Sequence, residues 1–213
     1  MTIAVEDIIN EGLRAGGVPM RIADIYEGSE AAKIALEIYG QARDELIVDP
    51  VHDWSFPRRT AGLTLLKGPP PAGGFNLTQY WTSLYPAPGF LFEYAYPSDC
   101  LDLRAITEPP SQMPDCDPIP QPWRVDNDPT PIISGGVATG PAAKVIMCQV
   151  NQAVAIYMAQ VTDPNEWDTL FHTTLVASLA QKFARAFGAD ANTIKSLSEE
   201  TTMAGNAADL IRG

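Results

Sequence analysis

Histidine and positive charge are both scarce. The chain has two His in 213 residues, and 14 Lys and Arg stand against 26 Asp and Glu, a formal net charge of −12. A groove that grips nucleic-acid phosphates needs a basic stripe, so this balance argues against one. Neither His52 nor His172 has a second histidine at ligand spacing, which argues against a His-based metal site and leaves both with structural roles. Cysteine is sparse too. Cys100, Cys116 and Cys148 form no Cys-x-x-Cys pair, which speaks against a disulfide framework or a zinc ribbon. We read them as buried or half-buried thiols. No serine lies in a Gly-x-Ser-x-Gly turn, and no cysteine lies in a recognisable nucleophile motif. The longest uncharged apolar stretch, residues 145–161, is broken by Gln149, Asn151 and Gln152 and is too short and polar to span a bilayer. The opening residues, MTIAVEDIIN, are acidic where a signal peptide is basic. The expectation is a soluble protein made inside the cell, with no cofactor, no metal and no catalytic role.

Motifs that approach a chemical signature fall short of it. The run from Gly135-Gly136 to Gly140 has phosphate-loop glycine spacing but continues Pro141-Ala142, where Lys and Ser or Thr are needed; a glycine-rich turn between strands is the better reading. Asp115 with Asp117, and Asp126 with Asp128, suggest calcium. Counted from Asp126, however, the EF-hand glycine and glutamate positions hold Pro131 and Val137, so these read as solvated turn carboxylates. Asn76-Leu77-Thr78 is a glycosylation triplet without a secretion signal, and reads as chance. Trp54, Trp81, Trp123 and Trp167 are scattered, which favours core and interface anchors over a sugar site.

Proline is abundant, and its positions organise the chain. Of 19 prolines, eight lie from Pro109 to Pro131 and three form Pro69-Pro70-Pro71; the first fifty residues hold only Pro19 and Pro50, and the last fifty only Pro164. Proline fixes φ and removes a backbone donor, so the middle must be strands, turns and extended loops between helical ends. Val5, Ile8, Ile9 and Leu13 share a helical face that Gly16-Gly17 stops. A second helix is predicted from Ser29, its N-cap, to Val48, with Ala31, Ile34, Ala35, Ile38, Ala42 and Leu46 as the apolar stripe. Strands are predicted over 59–66, 90–96, 101–107, 123–126, 143–150 and 154–161. Asp163-Pro164-Asn165-Glu166 reads as a helix start, with Asp as cap and Glu closing a capping box. Trp167, Leu170, Phe171, Leu175, Leu179, Phe183 and Ala186 follow at helical spacing to Gly188. Asp190 can cap a further helix, with Ile194 and Leu197 on one face. The predicted fold class is α+β: a helical bundle from residues 1–58 and 162–197, an inserted Pro/Gly-rich antiparallel β region over 59–161, and an extended tail over 198–213.

Three stretches, in order, carry a resemblance. The first is Val51-His52-Asp53-Trp54-Ser55-Phe56-Pro57-Arg58-Arg59-Thr60-Ala61-Gly62-Leu63, a Trp-x-Phe exit from a long helix into a strand. The second is the strand corner Tyr94-Ala95-Tyr96-Pro97-Ser98-Asp99-Cys100-Leu101-Asp102-Leu103. The third is Val161-Thr162-Asp163-Pro164, then Trp167 and Leu170-Phe171 opening the last helix, whose apolar face runs down to Phe187-Gly188. Together they resemble the phage head-to-tail connector family typified by tail tubular protein A, over roughly residues 1–66 and 90–200. The match to residues 109–131 fails.

The resemblance implies a structural virion protein at the head-tail junction, made in the host cytoplasm: an adaptor in a closed ring of about twelve copies, built on a heterologous interface that closes. The implied partners are neighbouring copies, the portal protein, a downstream tail or nozzle protein, and DNA that passes through an acidic lumen without specific binding. Implied structural anchors are Trp54, Phe56, Tyr96, Pro97, Asp99, Asp163, Pro164, Trp167 and Phe171. On this reading Trp54 and Phe56 hold the helix end on the core, Pro97 bends a strand, Asp99 bonds turn amides, and Leu101 and Leu103 face inward. Residues 198–213, with Leu210, Ile211 and Arg212, are the implied portal-binding tail. Alternatives are a stopper or tail-completion ring further down the tail, and a monomeric glycan- or peptide-binding β module.

Overall fold

A computed structural model describes residues 3–69, 86, 87, 89–109, 119–134 and 137–188. The helix predicted from Asp190, the tail with Leu210, Ile211 and Arg212, and Trp81, Cys116, Asp115, Asp117, Gly135, Gly136 and the Asn76 triplet lie outside the described residues. The fold is α+β. The chain divides into two compact units, a helical unit drawn from residues 1–57 and 160–213 and a β unit from 58–159.

In the helical unit, α1 spans Val5–Ala15 and buries Ile8, Ile9 and Leu13. Its end is a Schellman turn. Gly17 adopts φ +69°, its N–H donates to the Arg14 carbonyl, and the Val18 N–H donates to that of Leu13. Only glycine enters that region without a Cβ penalty. Asn10 then brackets the backbone of Ile22, donating to its carbonyl at 2.7 Å and accepting from its N–H at 2.8 Å. Helix α2 spans Glu30–Val48, and Ser29 caps it by accepting from the Ala32 N–H at 3.1 Å. Its buried face is Ala32, Ala35, Tyr39, Ala42, Leu46 and Ile47. The predicted stripe is therefore rotated by about one residue: Ile34 is 40% exposed, and Tyr39 goes inward because its ring packs toward Trp167, 6.4 Å away.

The last helix begins later than the sequence predicts. Asp163 caps only a 3₁₀ turn, Pro164–Glu166, and accepts from the Asn165 N–H. Trp167 is extended, at φ −83° and ψ 148°, and its indole N–H reaches back to the Val161 carbonyl at 3.3 Å. A second acid, Asp168, then caps α3, Thr169–Ala186, by accepting from the Phe171 N–H at 2.6 Å. Two Asp caps thus stand in tandem, and tethering of Trp167 breaks the helix between them. Phe171, Leu175, Leu179 and Phe183 are buried as the spacing requires, whereas Leu170 is 38% exposed. α1 meets α3 at glycine. A Cβ on Gly12 would lie 2.8 Å from Leu179 Cβ, and one on Gly16 would lie 2.7 Å from the Ala180 carbonyl oxygen. The two glycines, one turn apart, let the helix backbones approach closely.

Among the described residues the β unit holds two antiparallel sheets and a ribbon. Its strands are β1 Arg58–Gly62, β2 Leu65–Lys67, β3 Phe92–Ala95, β4 Cys100–Thr107, β5 Trp123–Asp128, β6 Ile132–Ser134, β7 Val137–Thr139, β8 Ala143–Cys148 and β9 Val154–Ala159. One sheet runs β1-β9-β4, the other runs β2-β3-β8-β5, and β6 pairs with β7. The predicted strand over 59–66 is two strands, since the chain leaves the first sheet at Leu63-Thr64 and joins the second. Residues from both sheets form a common core: Tyr94 and Ile146 from one, Leu103, Ile106, Ala155 and Tyr157 from the other. Bulges at Cys100/Asp102 and Leu103/Ala105 break the alternation of β4, so Leu103 and Ile106 point inward while Leu101 is only half-buried. Tyr94 is fully buried; its hydroxyl donates to the Val150 carbonyl at 2.7 Å and accepts from the Ala153 N–H at 3.3 Å.

Candidate functional site

Four of the anchors predicted from the sequence meet in the helical unit. Trp54 lies beyond the end of α2, fully buried, and its indole N–H donates to the Leu46 carbonyl at 2.8 Å. That bond satisfies one of the orphan carbonyls of the last helical turn. Phe171, at the start of α3, is the hub. Trp54, Phe56 and Trp167 meet it edge-on, with centroids 5.2, 4.8 and 5.0 Å away. Edge-to-face packing sets the positive ring edge against the negative face. His52 stacks on Trp54 at 5.1 Å, and its Nδ1 lies 3.3 Å from Asp49. Burial pushes the Tyr39 hydroxyl up to about 12, with the nearby Arg43 guanidinium pulling the other way. Asp163 and Pro164 sit just before this cluster, in the 3₁₀ turn, with Pro164 buried. His172 lies 3.7 Å from Glu11.

Tyr96, Pro97 and Asp99 belong to the β unit, at the corner between β3 and β4. The Cys100 N–H donates to the Pro97 carbonyl at 3.1 Å, closing the turn. The Asp99 carboxylate accepts from the Tyr157 hydroxyl at 3.1 Å, a phenol rather than the turn amides expected. Tyr96 accepts from the Cys100 thiol at 3.2 Å, and Lys144 Nζ lies over its ring at 3.8 Å. Burial raises the pKa of the Tyr96, Tyr157 and Cys100 groups, which keeps them neutral. Cys148 is buried. Among the described residues no group of three or more His, Cys, Asp and Glu is arranged to hold a metal ion, and no helix is long and apolar enough to cross a membrane.

The most unusual charge arrangement is one the sequence reading missed. Lys67, Glu93 and Asp128 are only 2%, 3% and 8% exposed. Lys67 Nζ bonds to Asp128 Oδ2 and lies 3.4 Å from Glu93 Oε1. Asp128 also accepts from the Thr130 N–H at 2.8 Å. Asp128 is thus no solvated turn carboxylate; Asp126 is exposed as expected and paired with Arg124 at 2.9 Å, but it lies in strand β5 rather than in a turn. Burial and a hydrogen bond with Asp128 push Glu93 up to about 7, against the pull of Lys67. Burial would raise Asp128 as well, but bonds from Lys67, Thr130 and Glu93 hold it below the usual carboxylate range. The group sits on the face of the four-stranded sheet opposite the core, since strand alternation sends Tyr94 and Ile146 one way and Glu93, Val145 and Met147 the other. A cavity of about 200 Å³ lies there, lined by Glu93, Asp126, Asp128, Val145 and Met147 among others. The sequence signal for this group is a lone base at the end of Leu65-Leu66-Lys67 and a lone acid inside Phe92-Glu93-Tyr94.

No family model matches the sequence, and no curated protein is similar enough to count as a relative.

Proposed function

We propose that the protein is a structural virion component, a ring-forming head-to-tail connector that joins the portal to the tail. The observation that carries this reading is the aromatic cluster. Two of the stretches that resemble the connector family, Trp54-x-Phe56 and Trp167 with Phe171, lie more than a hundred residues apart in sequence and pack on one another around Phe171. That packing supports a helical bundle closed by the two chain ends, with the β region inserted between them. In this reading the extended tail, residues 198–213 with Leu210, Ile211 and Arg212, docks on the portal. The proline-rich loops of the β region strap neighbouring copies or the next tail protein, since proline segments order at low entropic cost. The net charge of −12 suits a channel through which DNA passes without being held.

Light-scattering mass after gel filtration, with and without purified portal protein, tests the proposal. A protein that becomes ring-sized on the portal supports it. A monomer indifferent to portal overturns it in favour of a tail-completion position or a monomeric binding module. Deleting residues 198–213 should abolish portal attachment and leave the circular dichroism of the fold unchanged. A truncated chain that still docks removes the tail assignment.

A further inference from the structure

We propose that Glu93 is a proton-operated latch in the β unit: protonated, it lets one ammonium tie the two outer strands of the four-stranded sheet together, and on ionising it releases them. In the order β2-β3-β8-β5, Lys67 and Asp128 belong to the two outermost strands, yet Lys67 Nζ reaches Asp128 Oδ2. Glu93 stands between them on β3, in register with Lys67 across the β2–β3 pair, and its Oε1 has no hydrogen bond. The clasp is therefore one cation against two carboxyls, all nearly inaccessible to water.

Among the described residues the surroundings offer no second cation to this group. From β5, Asp126 and Asn127 line the adjoining cavity, and Arg124 is turned to Asp126. From β8 come Val145 and Met147, and from the loops Ala87 and Pro129. With Lys67 charged and Asp128 ionised, the group is neutral only while Glu93 keeps its proton. Losing that proton leaves an uncompensated buried charge, which is costly. The cavity beside Asp128 gives the excess charge a way out: the β5 end moves toward water and the Lys67–Asp128 bond opens.

The direction of the pH effect follows from linkage. Glu93 in the folded chain titrates at about 7, above its ordinary 4.5, because burial penalises its anion. The folded state thus holds a proton that the open state releases. This stabilisation is fully present below the ordinary glutamate pKa and is lost as pH rises through about 7. Asp128, shifted downward, contributes in the opposite sense, and only at acid pH.

Hydrogen exchange of the full chain, corrected for intrinsic rates, reads the latch. For peptides covering β2 and residues 126–130, protection should fall roughly thirtyfold between about pH 5.5 and about pH 8, as the shift from 4.5 to about 7 requires. Glu93→Gln, neutral at every pH and of the same shape, should keep protection in those peptides nearly constant. Equal pH dependence in the wild type and Glu93→Gln overturns the proposal, as does a flat profile in the wild type. Carbon-13 carboxyl titration of the wild-type protein needs no variant. One glutamate titrating near neutrality at position 93 supports the latch, and a Glu93 that titrates with the ordinary glutamates overturns it.

Discussion

The two units bury different things. The helical unit is closed by rings and small residues: Trp54, Phe171 and Phe183 fill its interior, and Gly12 and Gly16 let its helices touch. Its buried Arg43 lies against its sequence neighbour Asp44 at 2.7 Å. The β unit has an equally apolar core around Tyr94, but behind one sheet it also buries a base and two acids contributed by three strands. Apolar burial scales with area and is nearly indifferent to pH. A buried charge group depends on its proton count and on every partner being present. One unit therefore resists changes of solution conditions, and the other registers them.

That contrast can be tested by substitution. The largest effect is expected for Trp54→Ala, which removes the indole from its place against Phe171 and its bond to Leu46; urea titration should show a loss of about 3–5 kcal/mol. Lys67→Met keeps the stem but leaves two carboxyls without a cation. The expected loss is about 3 kcal/mol at pH 6 and smaller at pH 8, where Glu93 has ionised and the Lys67–Asp128 bond is already open in the wild type; a pH-independent loss would mean the charge group is no more than packing. Gly12→Ala places a methyl 2.8 Å from Leu179 Cβ, and overpacking of this kind costs about 1–3 kcal/mol by thermal unfolding. Asp168→Ala removes the α3 cap at about 1 kcal/mol. Asp163→Ala should cost less, because its turn carries no long helix; the reverse order would restore Asp163 as the effective helix start.

Local signals were legible and relational ones were not. Ser29 behaves as the cap that its position suggests, and Gly17 as the left-handed stop, because each effect is settled within a few residues. The start of α3 misleads because Asp163-Pro164-Asn165-Glu166 satisfies a capping pattern that a single 3₁₀ turn also satisfies; what decides between them is the distant carbonyl of Val161, to which Trp167 is tied. The α2 stripe is displaced because Tyr39 outweighs Ile34 once a partner ring is available. Of the site residues, the aromatic anchors were visible as types, but their convergence on Phe171 required the fold. The Lys67–Glu93–Asp128 group was invisible for a stronger reason. Its members become neighbours only when the strand order is known, and alone each looks like a surface charge.

The Tyr94 hydroxyl has a further consequence. The turn it holds, between β8 and β9, is where the chain passes from one sheet to the other, and Gln152 within it takes φ +59°. A slip of one residue by β8 or β9 against its own sheet partners would turn its inward side chains outward, and a slip that displaced the connection would also cost the phenol both of its bonds. The single oxygen thus acts as an index mark. By holding both sides of the connection, it ties the register of β8 in one sheet to that of β9 in the other.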